Sequence, residues 1–429
     1  MSFTRAARSL HRYRPQVLRW LAGLAVCTSI CALYLSGSLL FIDRQLTSAR
    51  FQLVTSDPTD DVVVVAIDAR SLQEISVWPW PRGKHASVID KLREAGARQI
   101  AVDIDFSATS TPAEDDKLAA ALARAGGNVI LPVFEQSADS KRTITSTAPL
   151  PQFAEHTRIA SANIYPDSDG IVRRLARVEL WAGTLVPTMA AAAAGLQPTA
   201  MSRYYVDFGI DADQIKRVSF VDVLHDKVDP SVFAGKIVMI GATARELGDT
   251  VATPVGAVMP GVFVQALATE SLLQNRDLHK VSRWLILAIA CMLFFLIEAI
   301  CRNRGWRHGI AAGAGALVAI VGLPLVVQAN LPLMVETSPW LAAVSAAFLM
   351  ALFERLRDLD LRLIGQAILL RRTDALMRQV VENSSDGLLV IDDQGKVRSV
   401  NPAAERRFRR AAARRHRDED ARSGIARRA

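Results

Sequence analysis

Cysteine is scarce in this sequence, which has only four among its 429 residues. All four lie in or beside apolar segments, at positions Cys27, Cys31, Cys291 and Cys301. Because none falls between residues 43 and 282, a domain in that interval cannot depend on an internal disulfide, and the cysteines show no zinc-binding spacing. The histidines of the interval form no pair at the spacing of metal ligands. We therefore expect no metal site and no bound cofactor.

Recognisable catalytic motifs are also missing. The sequence contains no P-loop, no Gly-x-Ser-x-Gly nucleophile elbow and no metalloprotease helix. These absences exclude the enzyme classes that depend on such motifs, and we expect no catalytic residues in this chain.

The middle of the chain has no excess of positive charge, although the formal net charge of the whole is +8. Residues 1–19 and residues 409–429 each carry an excess of five positive charges, so the other 389 residues sum to −2. An excess of positive charge that is confined to the two ends indicates membrane orientation and a basic tail. We expect no nucleic acid partner.

Long apolar runs are what the sequence has in abundance. The first covers residues 17–42 and follows a basic leader, residues 1–16. It is longer than the core of a signal peptide, so we predict an uncleaved membrane helix, with a cleaved signal peptide as the alternative. Three more runs of membrane length come late in the chain, at residues 284–300, 309–328 and 337–353.

The arginines between these runs predict the orientation of the four helices. Three arginines lie between residues 301 and 308, whereas residues 329–336 contain no lysine or arginine. By the positive-inside rule, residues 301–308 and both chain ends are cytoplasmic, and residues 43–282 lie outside the membrane. We therefore predict a multi-pass membrane protein, with the lipid bilayer as a partner.

The interval between the first and second apolar runs alternates strands with helices. The pattern predicts strands at Val62–Ile67 and Ile100–Phe106, which are short β-branched runs, and a helix with one apolar stripe at Gly83–Ala95. A further helix, Ala113–Arg124, and a third strand, Asn128–Phe134, follow. This order predicts an α/β domain with a mainly parallel sheet.

The remainder of the interval is less regular. The pattern predicts a loop over residues 135–160 and a pair of strands within Ile171–Trp181. The later elements that we predict are the helix Thr188–Leu196, the strands Tyr204–Phe208 and Gly235–Gly241, and a helix from Pro260 to about Leu273.

Five polar or aromatic side chains follow the first predicted strand or lie near the end of the second. They are Asp68, Trp80, Arg82, Asp103 and Asp105. Because the carboxyl ends of parallel strands form the functional rim of such a sheet, we predict that these residues bind a ligand. The structural alternative is that the aspartates cap helices and tie down loops, that the tryptophan plugs the core, and that the arginine pairs with one of these aspartates.

The pair Asp103 and Asp105 also supports an enzyme hypothesis. A D-x-D pair at a strand end is similar to that of the haloacid-dehalogenase phosphatases. Here the pair ends the second strand instead of the first, and no matching set of Thr, Lys and Asp follows. A periplasmic metal-dependent phosphatase-like enzyme is therefore an alternative to a domain without catalytic activity.

Leucines continue at a regular spacing after the last apolar run. The spacing alternates between four and three residues and gives a heptad seam over residues 352–380. Six of its positions are Leu356, Leu359, Leu363, Gln366, Leu370 and Met377. We predict that residues 354–381 form a cytoplasmic coiled-coil signalling helix of a homodimer, since polar residues in such a seam commonly set its register. The alternative is an amphipathic helix that lies on the chain's own domains or on the bilayer.

The C-terminal part changes character twice. Residues 382–408 combine two short strands around a glycine turn with the start of a helix at Asn401-Pro402. Residues 409–429 are rich in arginine and have no apolar periodicity, so we expect them to be disordered.

Several motifs within residues 43–275 stand in one order. They are Asp68-Ala-Arg-Ser-Leu72, Trp78-Pro-Trp-Pro-Arg82, the VDIDFS sequence that begins at Val102, Asp169-Gly170 with Arg173, Gly235–Gly241, Asp249, Thr253-Pro254 and Met259-Pro-Gly261. Together they resemble the type-two CHASE domain. That family comprises extracytoplasmic sensory domains ahead of adenylate and diguanylate cyclases, histidine kinases and serine/threonine kinases. One membrane helix before the domain and three after it are similar to the family's layout.

Residues 374–408 resemble the first third of a PAS domain through the ENSSDGLLVID opening and the NPAAERRF helix. The resemblances imply a sensory receptor that detects an unknown extracytoplasmic ligand and passes the signal to a cytoplasmic PAS and output module. The remainder of the PAS fold is missing, so we expect an incomplete receptor, with a short protein that ends naturally as the alternative. A further alternative is the sensor part of a diguanylate cyclase, phosphodiesterase or histidine kinase truncated by a frameshift.

Overall fold

The computed structural model describes the backbone of residues 3–75, 77–138, 143–197, 200–256 and 258–425. The chain divides into two compact units, residues 1–347 and residues 348–429. The α-helices are α1 (Phe3–Leu35), α2 (Leu40–Leu53), α3 (Ala69–Glu74), α4 (Arg82–Glu94), α5 (Pro112–Arg124), α6 (Pro151–Ala154), α7 (Met189–Ala193), α8 (Phe220–Leu224), α9 (Gly261–Leu273), α10 (Arg283–Asn303), α11 (Trp306–Asn330), α12 (Ser338–Asn383) and α13 (Pro402–Ile425). The strands are β1 (Val62–Ile67), β2 (Gln99–Asp103), β3 (Val129–Ala138), β4 (Thr143–Thr147), β5 (Arg158–Ser161), β6 (Arg174–Ala176), β7 (Val178–Trp181), β8 (Thr184–Pro187), β9 (Arg203–Tyr205), β10 (Lys216–Ser219), β11 (Ile237–Ala242), β12 (Thr250–Ala252), β13 (Val258–Pro260), β14 (His279–Lys280), β15 (Leu333–Met334), β16 (Leu389–Ile391) and β17 (Val397–Val400).

A seven-stranded sheet forms the centre of the first unit. Its order is β10-β1-β11-β2-β3, and both β4 and β5 pair with β3. Every pairing in it is parallel except that of β3 with β4. All six residues of β1 are buried, as its continuous apolar run predicts. The predicted α/β domain with a mainly parallel sheet is confirmed.

The strand β11 lies between β1 and β2. Val238 of β11 pairs with Val63 on one side and with Ile100 on the other. β1 and β2, the first two strands in the chain, are therefore not neighbours in the sheet. The first five residues of β11 are buried, and the middle of the sheet is the position that removes such an apolar strand most completely from water. As a result, the strand beside Asp103 is β11, and Asp68 does not lie on the neighbouring strand.

Apolar layers cover both faces of the sheet. Successive residues of β1 point to opposite faces, so Val64 belongs to one layer and Val65 to the other. The first layer includes residues of α7 and α9, and the second includes residues of α4, α5 and α8. Twelve of the thirteen residues of α9 are buried. The close approach of α9 to β11 depends on Gly241, where a Cβ would lie 2.6 Å from the Cβ of Val262.

Two stretches differ from the sequence-based expectation. Residues 135–160 are not a loop, since they contain the end of β3, then β4, α6 and β5. Short strands rich in threonine and serine carry no apolar run, so the pattern does not reveal them.

The strands within Ile171–Trp181 do not pair with each other. β6 pairs with β9, and β7 forms a hairpin with β8 through Ala182-Gly183, both of positive φ.

Four helices in the described ranges are long and apolar enough to cross a membrane. They are residues Val17–Leu35 of α1, α10, α11 and residues Ser338–Thr373 of α12. The first ends earlier than the predicted residue 42, because Ser36-Gly37-Ser38 interrupts the helix and Gly37 adopts a φ of +80°. Residues 40–42 instead begin α2.

The second unit contains most of α12, the antiparallel pair β16–β17, and α13. α12 is one continuous helix of 46 residues, so the last predicted membrane helix and the predicted signalling helix are a single element. α13 continues to Ile425, and the expected disorder of residues 409–429 is wrong as far as residue 425. Alanine and arginine are strong helix formers, which is how this segment is helical without an apolar stripe. Residues 426–429 lie outside the described residues.

Candidate functional site

The carboxyl ends of β1, β11 and β2 lie side by side at one edge of the sheet, as their parallel pairing requires. Asp68 and Asp103 stand at this edge, and Asp249 follows β11 in the chain. Of the five residues predicted to bind a ligand here, Asp68, Trp80, Arg82 and Asp105 contact other groups of the protein. No hydrogen bond of the Asp103 side chain is found among the described residues.

Asp68 caps α3. Its Oδ1 accepts hydrogen bonds from the backbone N–H of Ser71 at 2.8 Å, from Ser71 Oγ at 2.7 Å and from Ser219 Oγ at 2.9 Å. An aspartate at this position satisfies a backbone donor in the first turn of the helix. Asp68 thereby holds α3 against the end of β10, and ligand binding by Asp68 stays a prediction.

Trp80 fills one end of the core. It is 4% exposed, and its ring centroid lies 4.9 Å from that of Phe220 and 5.0 Å from that of Trp78. A ring enclosed in this way has little surface left for stacking on a ligand.

Arg82 forms a buried ion pair. It is 7% exposed, and its Nη1 donates to Asp115 Oδ1 at 2.5 Å, while Nη2 donates to the carbonyl of Ala108. The guanidinium carbon lies 5.1 Å from the ring centroid of Phe153, within the range of a cation–π contact. The alternative that Arg82 pairs with one of the rim aspartates is wrong, because its partner Asp115 lies on α5.

The two aspartates at the end of β2 differ in their surroundings. Asp105 is exposed, and its Oδ1 accepts the backbone N–H of Ser107 at 2.8 Å, which stabilises the turn that follows. Burial raises the pKa of Asp103 to about 7, and the negative charge of Asp249 adds to the rise. Burial also raises the pKa of Asp249. The raised pKa values of both carboxyl groups favour a bound proton at this edge. The described residues contain no group of three His, Cys, Asp or Glu that could hold a metal ion.

Replacing Asp103 by asparagine should stabilise the protein above neutral pH. Between about pH 4 and pH 7 the folded chain keeps a proton on Asp103 that the unfolded chain has lost, so the contribution of this group to stability falls as the pH rises. After allowance for solvent screening, Asp103→Asn should raise the free energy of unfolding by about 1–2 kcal/mol at pH 8 and by nothing at pH 4. Denaturant titrations of the full chain in detergent measure this difference, with Asp105→Asn as the exposed control. An equal gain at both pH values would contradict the role of this proton.

A second polar cluster lies near the ends of the membrane-length helices. Its central residues are Asp43, Arg276, Lys280 and Glu336, and we call this cluster the membrane-proximal junction. Each of the four bonds a segment that is distant in sequence. The junction therefore connects the α/β domain to helices on either side of it in the chain.

Asp43 of α2 caps α12. It is 3% exposed, its Oδ1 accepts the backbone N–H groups of Thr337 and Ser338 at 2.9 Å each, and its Oδ2 accepts Ser338 Oγ at 2.5 Å. These bonds satisfy backbone donors that the start of a helix cannot satisfy internally. The helix that enters the α/β domain thus holds the first turn of the last membrane-length helix.

The segment that follows the last helix of the α/β domain is also attached at the membrane-proximal junction. Strand β14 pairs in parallel with β15, which lies between α11 and α12. Lys280 Nζ and the hydroxyl of Tyr34 both donate to the carboxylate of Glu336. Glu336 therefore connects the end of α1, the end of the domain and the segment that precedes α12.

Arg276 links the domain core to α11. Its Nε donates to Asp207 Oδ2 at 2.6 Å, and its Nη atoms donate to the carbonyls of Gln328 and Ala329 at 3.1 Å each. Asp207 is 1% exposed, so the bond reaches the interior of the domain. A cation is also favoured by the dipole at the C-terminal end of a helix.

Ion pairs bind α2 to the domain that follows it. Arg44 Nη1 lies 3.0 Å from Asp169 Oδ2, and Arg173 donates two hydrogen bonds of 2.9 Å to the same carboxylate. The Arg173 guanidinium lowers the pKa of Asp169 to about 2. The turn before β6 is therefore charged, and attached to α2, throughout the physiological pH range.

Sequence reasoning did not single out Asp43, Arg276 or Glu336. Asp43 and Thr337 stand 294 residues apart, so no local spacing connects them. The signal in the sequence was an acidic residue just after the first apolar run and another just before the last. A charge at such a position must find a partner or water.

The predicted seam lies in the C-terminal part of α12. Its described side chains are all exposed, and they are Leu356, Leu359, Leu363, Gln366 and Leu370. The side chain of Met377 lies outside the described residues. A stripe of leucines between 46% and 66% exposed is available for contact with another helix, and the coiled-coil homodimer stays a prediction.

Comparison with known proteins identifies both parts of the chain. The family model of the CHASE2 domain matches residues 22–300, and that of the PAS domain matches residues 375–427. The PAS match extends beyond the predicted residues 382–408. No curated protein and no solved structure matches the chain at a significant level. Because the first match covers more than half of the sequence, the chain belongs to the CHASE2 family of extracytoplasmic sensor domains, here followed by a PAS domain.

Proposed function

We propose that this chain is a bacterial inner-membrane receptor. In this proposal residues 43–282 detect an extracytoplasmic stimulus, the four membrane-length helices place both termini in the cytoplasm, and α12 carries the signal to the PAS domain and a cytoplasmic output module. The output module in this proposal is a cyclase, a phosphodiesterase or a kinase. The CHASE2 and PAS matches and the apolar helices support the general role.

The observation that supports transmission most directly is the cap of Asp43 on α12. A ligand can transmit a signal only if it binds two states of the protein with different affinities, and those states must differ where the domain meets the membrane helices. Asp43 connects α2 to α12 through three hydrogen bonds in a buried site, where an unmade bond is costly. A shift of α2 relative to the sheet would therefore displace the start of α12.

Cysteine cross-linking tests the homodimer that this proposal includes. In a chain whose four native cysteines are replaced by alanine, single cysteines at Leu359 and Leu363 should form disulfide-linked dimers in membranes, because a heptad seam places both at facing positions. Leu361 is the matched control, since it is 61% exposed but lies off the seam. Gel electrophoresis under non-reducing conditions measures the yields. Equal linking at all three positions would refute the seam.

The same assay tests transmission. Lys280→Met removes the ion pair with Glu336 and keeps most of the side chain volume, so the ratio of the Leu359 and Leu363 yields should change at least twofold. Lys91→Met is the control, because Lys91 also forms an ion pair, with Asp226 at 2.5 Å, but lies on α4 outside the junction. An unchanged ratio in Lys280→Met would count against a receptor that signals through this junction.

A further inference from the structure

A cleft of about 460 Å³ opens within the α/β domain, away from the sheet edge described above. Its walls come from the central part of β3 and from β6, β7 and β9, together with the segment around Tyr165. Small-molecule sites in proteins usually have volumes of about 300–1,000 Å³. The cleft therefore has the size to hold a metabolite, and it lies in the part of the chain for which we propose a sensory role.

One end of the cleft is acidic. Glu135 and Glu179 both line it, and Ser161 Oγ donates to Glu179 Oε2 at 2.5 Å. Burial raises the pKa of Glu179, and the charge of Glu135 adds to the rise. Burial and the same two carboxylates raise the pKa of Tyr165. This end of the cleft therefore has the negative potential that favours a bound cation.

A cation stands in the same cleft. Arg203 of β9 lines it, and its positive charge lowers the pKa values of Glu179 and Tyr165, although burial raises both more strongly. Among the side chains that the structure describes, neither Arg203 nor Glu135 forms an ion pair. A guanidinium is suited to bind a carboxylate with two hydrogen bonds. The cleft thus offers one group for each sign of charge.

The cleft also has apolar lining residues. Val178 and Leu180 line it from β7, and Met201 lines it from the segment before β9. Leu180 is 51% exposed, Met201 69% and Tyr165 50%. A ligand that covers large exposed apolar side chains removes their surface from water, and this burial contributes favourably to the free energy of binding.

We propose that this cleft binds a small amphipathic zwitterion, a molecule with an ammonium group, a carboxylate and a short hydrocarbon part, such as an aliphatic α-amino acid. The ammonium group lies against Glu135 and Glu179, the carboxylate against Arg203, and the hydrocarbon part against Leu180 and Met201. The biological meaning of this ligand rests on the proposed receptor function, whereas its binding does not.

The strands that line the cleft also reach the membrane-proximal part of the domain. Ala176 and Val178 line the cleft, and Arg177 between them donates from Nη2 to the carboxylate of Asp277, six residues before α10 begins. Successive residues of an extended chain point to opposite sides. Arg177 therefore connects the strands that line the cleft to the segment that leads to α10.

Thermal unfolding of the full chain in detergent tests the binding. The probes are the aliphatic amino acids leucine, isoleucine, valine and methionine, each beside its amine without the carboxylate and its acid without the ammonium group. At least one amino acid should raise the unfolding temperature, and its two half-molecules should bind at least tenfold more weakly by calorimetry. Failure of all four amino acids to bind, or equal binding of a half-molecule, would overturn the proposal.

Two surface variants make the test specific to the cleft. Arg203→Ala and Glu135→Gln should each weaken binding of the amino acid at least tenfold, while Arg245→Ala and Glu155→Gln, exposed residues outside the cleft, should leave it unchanged. Binding that survives both cleft variants would overturn the assignment. The cross-linking assay with Lys280→Met uses no ligand, so a failure of the cleft proposal and a failure of the receptor proposal give different results.

Discussion

Arg82→Ala should lower the free energy of unfolding by about 3–5 kcal/mol, because it leaves a buried carboxylate without its partner. Asp115 is 5% exposed and keeps only the backbone N–H of Ser110 at 3.1 Å once the arginine is gone. The variant also loses the bond to the carbonyl of Ala108 and the contact with the Phe153 ring. Guanidinium denaturation of the full chain in detergent, followed by tryptophan fluorescence, measures the change in the free energy of unfolding.

A matched control separates burial from charge. Arg124 also bonds an aspartate, Asp90, at 2.6 Å, but its side chain is 51% exposed. Arg124→Ala should therefore cost less than about 1 kcal/mol. The double variant Arg82→Met with Asp115→Asn should recover part of the loss, since it leaves no buried charge. Equal costs for the two arginine variants would show that the Arg82 pair is not structural and would return Arg82 to the group of predicted ligand contacts.

Asp43→Ala should destabilise the first turn of α12 by about 2–4 kcal/mol, since it leaves buried donors without an acceptor. The affected groups are the backbone N–H groups of Thr337 and Ser338 and the Ser338 hydroxyl. Hydrogen exchange measured by mass spectrometry should show faster exchange in peptides that contain residues 337–341, and no change in those from α9. Asp43→Asn keeps one acceptor oxygen and should cost less than alanine.

The control for this variant is another N-cap. Asp211 caps a short 3₁₀ turn through the backbone N–H of Asp213 at 3.0 Å, on the exposed surface of the domain. Asp211→Ala should leave the rate of hydrogen exchange in α12 unchanged. If Asp43→Ala also leaves it unchanged, the hydrogen bonds at Thr337 and Ser338 do not hold α12, and the proposed route of the signal is lost.

Elements defined by local patterns were predictable from the sequence. The valine run gave β1 at its observed bounds, and the apolar stripe of α4 placed that helix to within one residue at each end. The D-x-x-S pattern at Asp68 and Ser71 could also have shown that Asp68 is a helix cap. Periodicity and capping depend on neighbouring residues, so one sequence contains the information.

Contacts between distant segments were not predictable. β11 follows β1 by about 170 residues in the sequence and still pairs with it. No feature of either apolar run predicts that pairing. The aspartate partner of Arg82 likewise lies on α5, because the packing of α4 against α5 decides which carboxylate is near. The membrane-proximal junction and the cleft each combine segments far apart in sequence, so they require the three-dimensional structure.

The pairing of β14 with β15 has a practical consequence for work on this protein. Short connections between membrane helices are common places to insert an epitope tag or a protease site when membrane topology is mapped. The segment between α11 and α12 is such a connection. Here the backbone of Leu333–Met334 is hydrogen-bonded to His279–Lys280, so an insertion would break the attachment of the domain to α12. A reporter belongs instead at Gly126, in the turn after α5, which is exposed and has no neighbouring atoms within 4 Å of a Cβ.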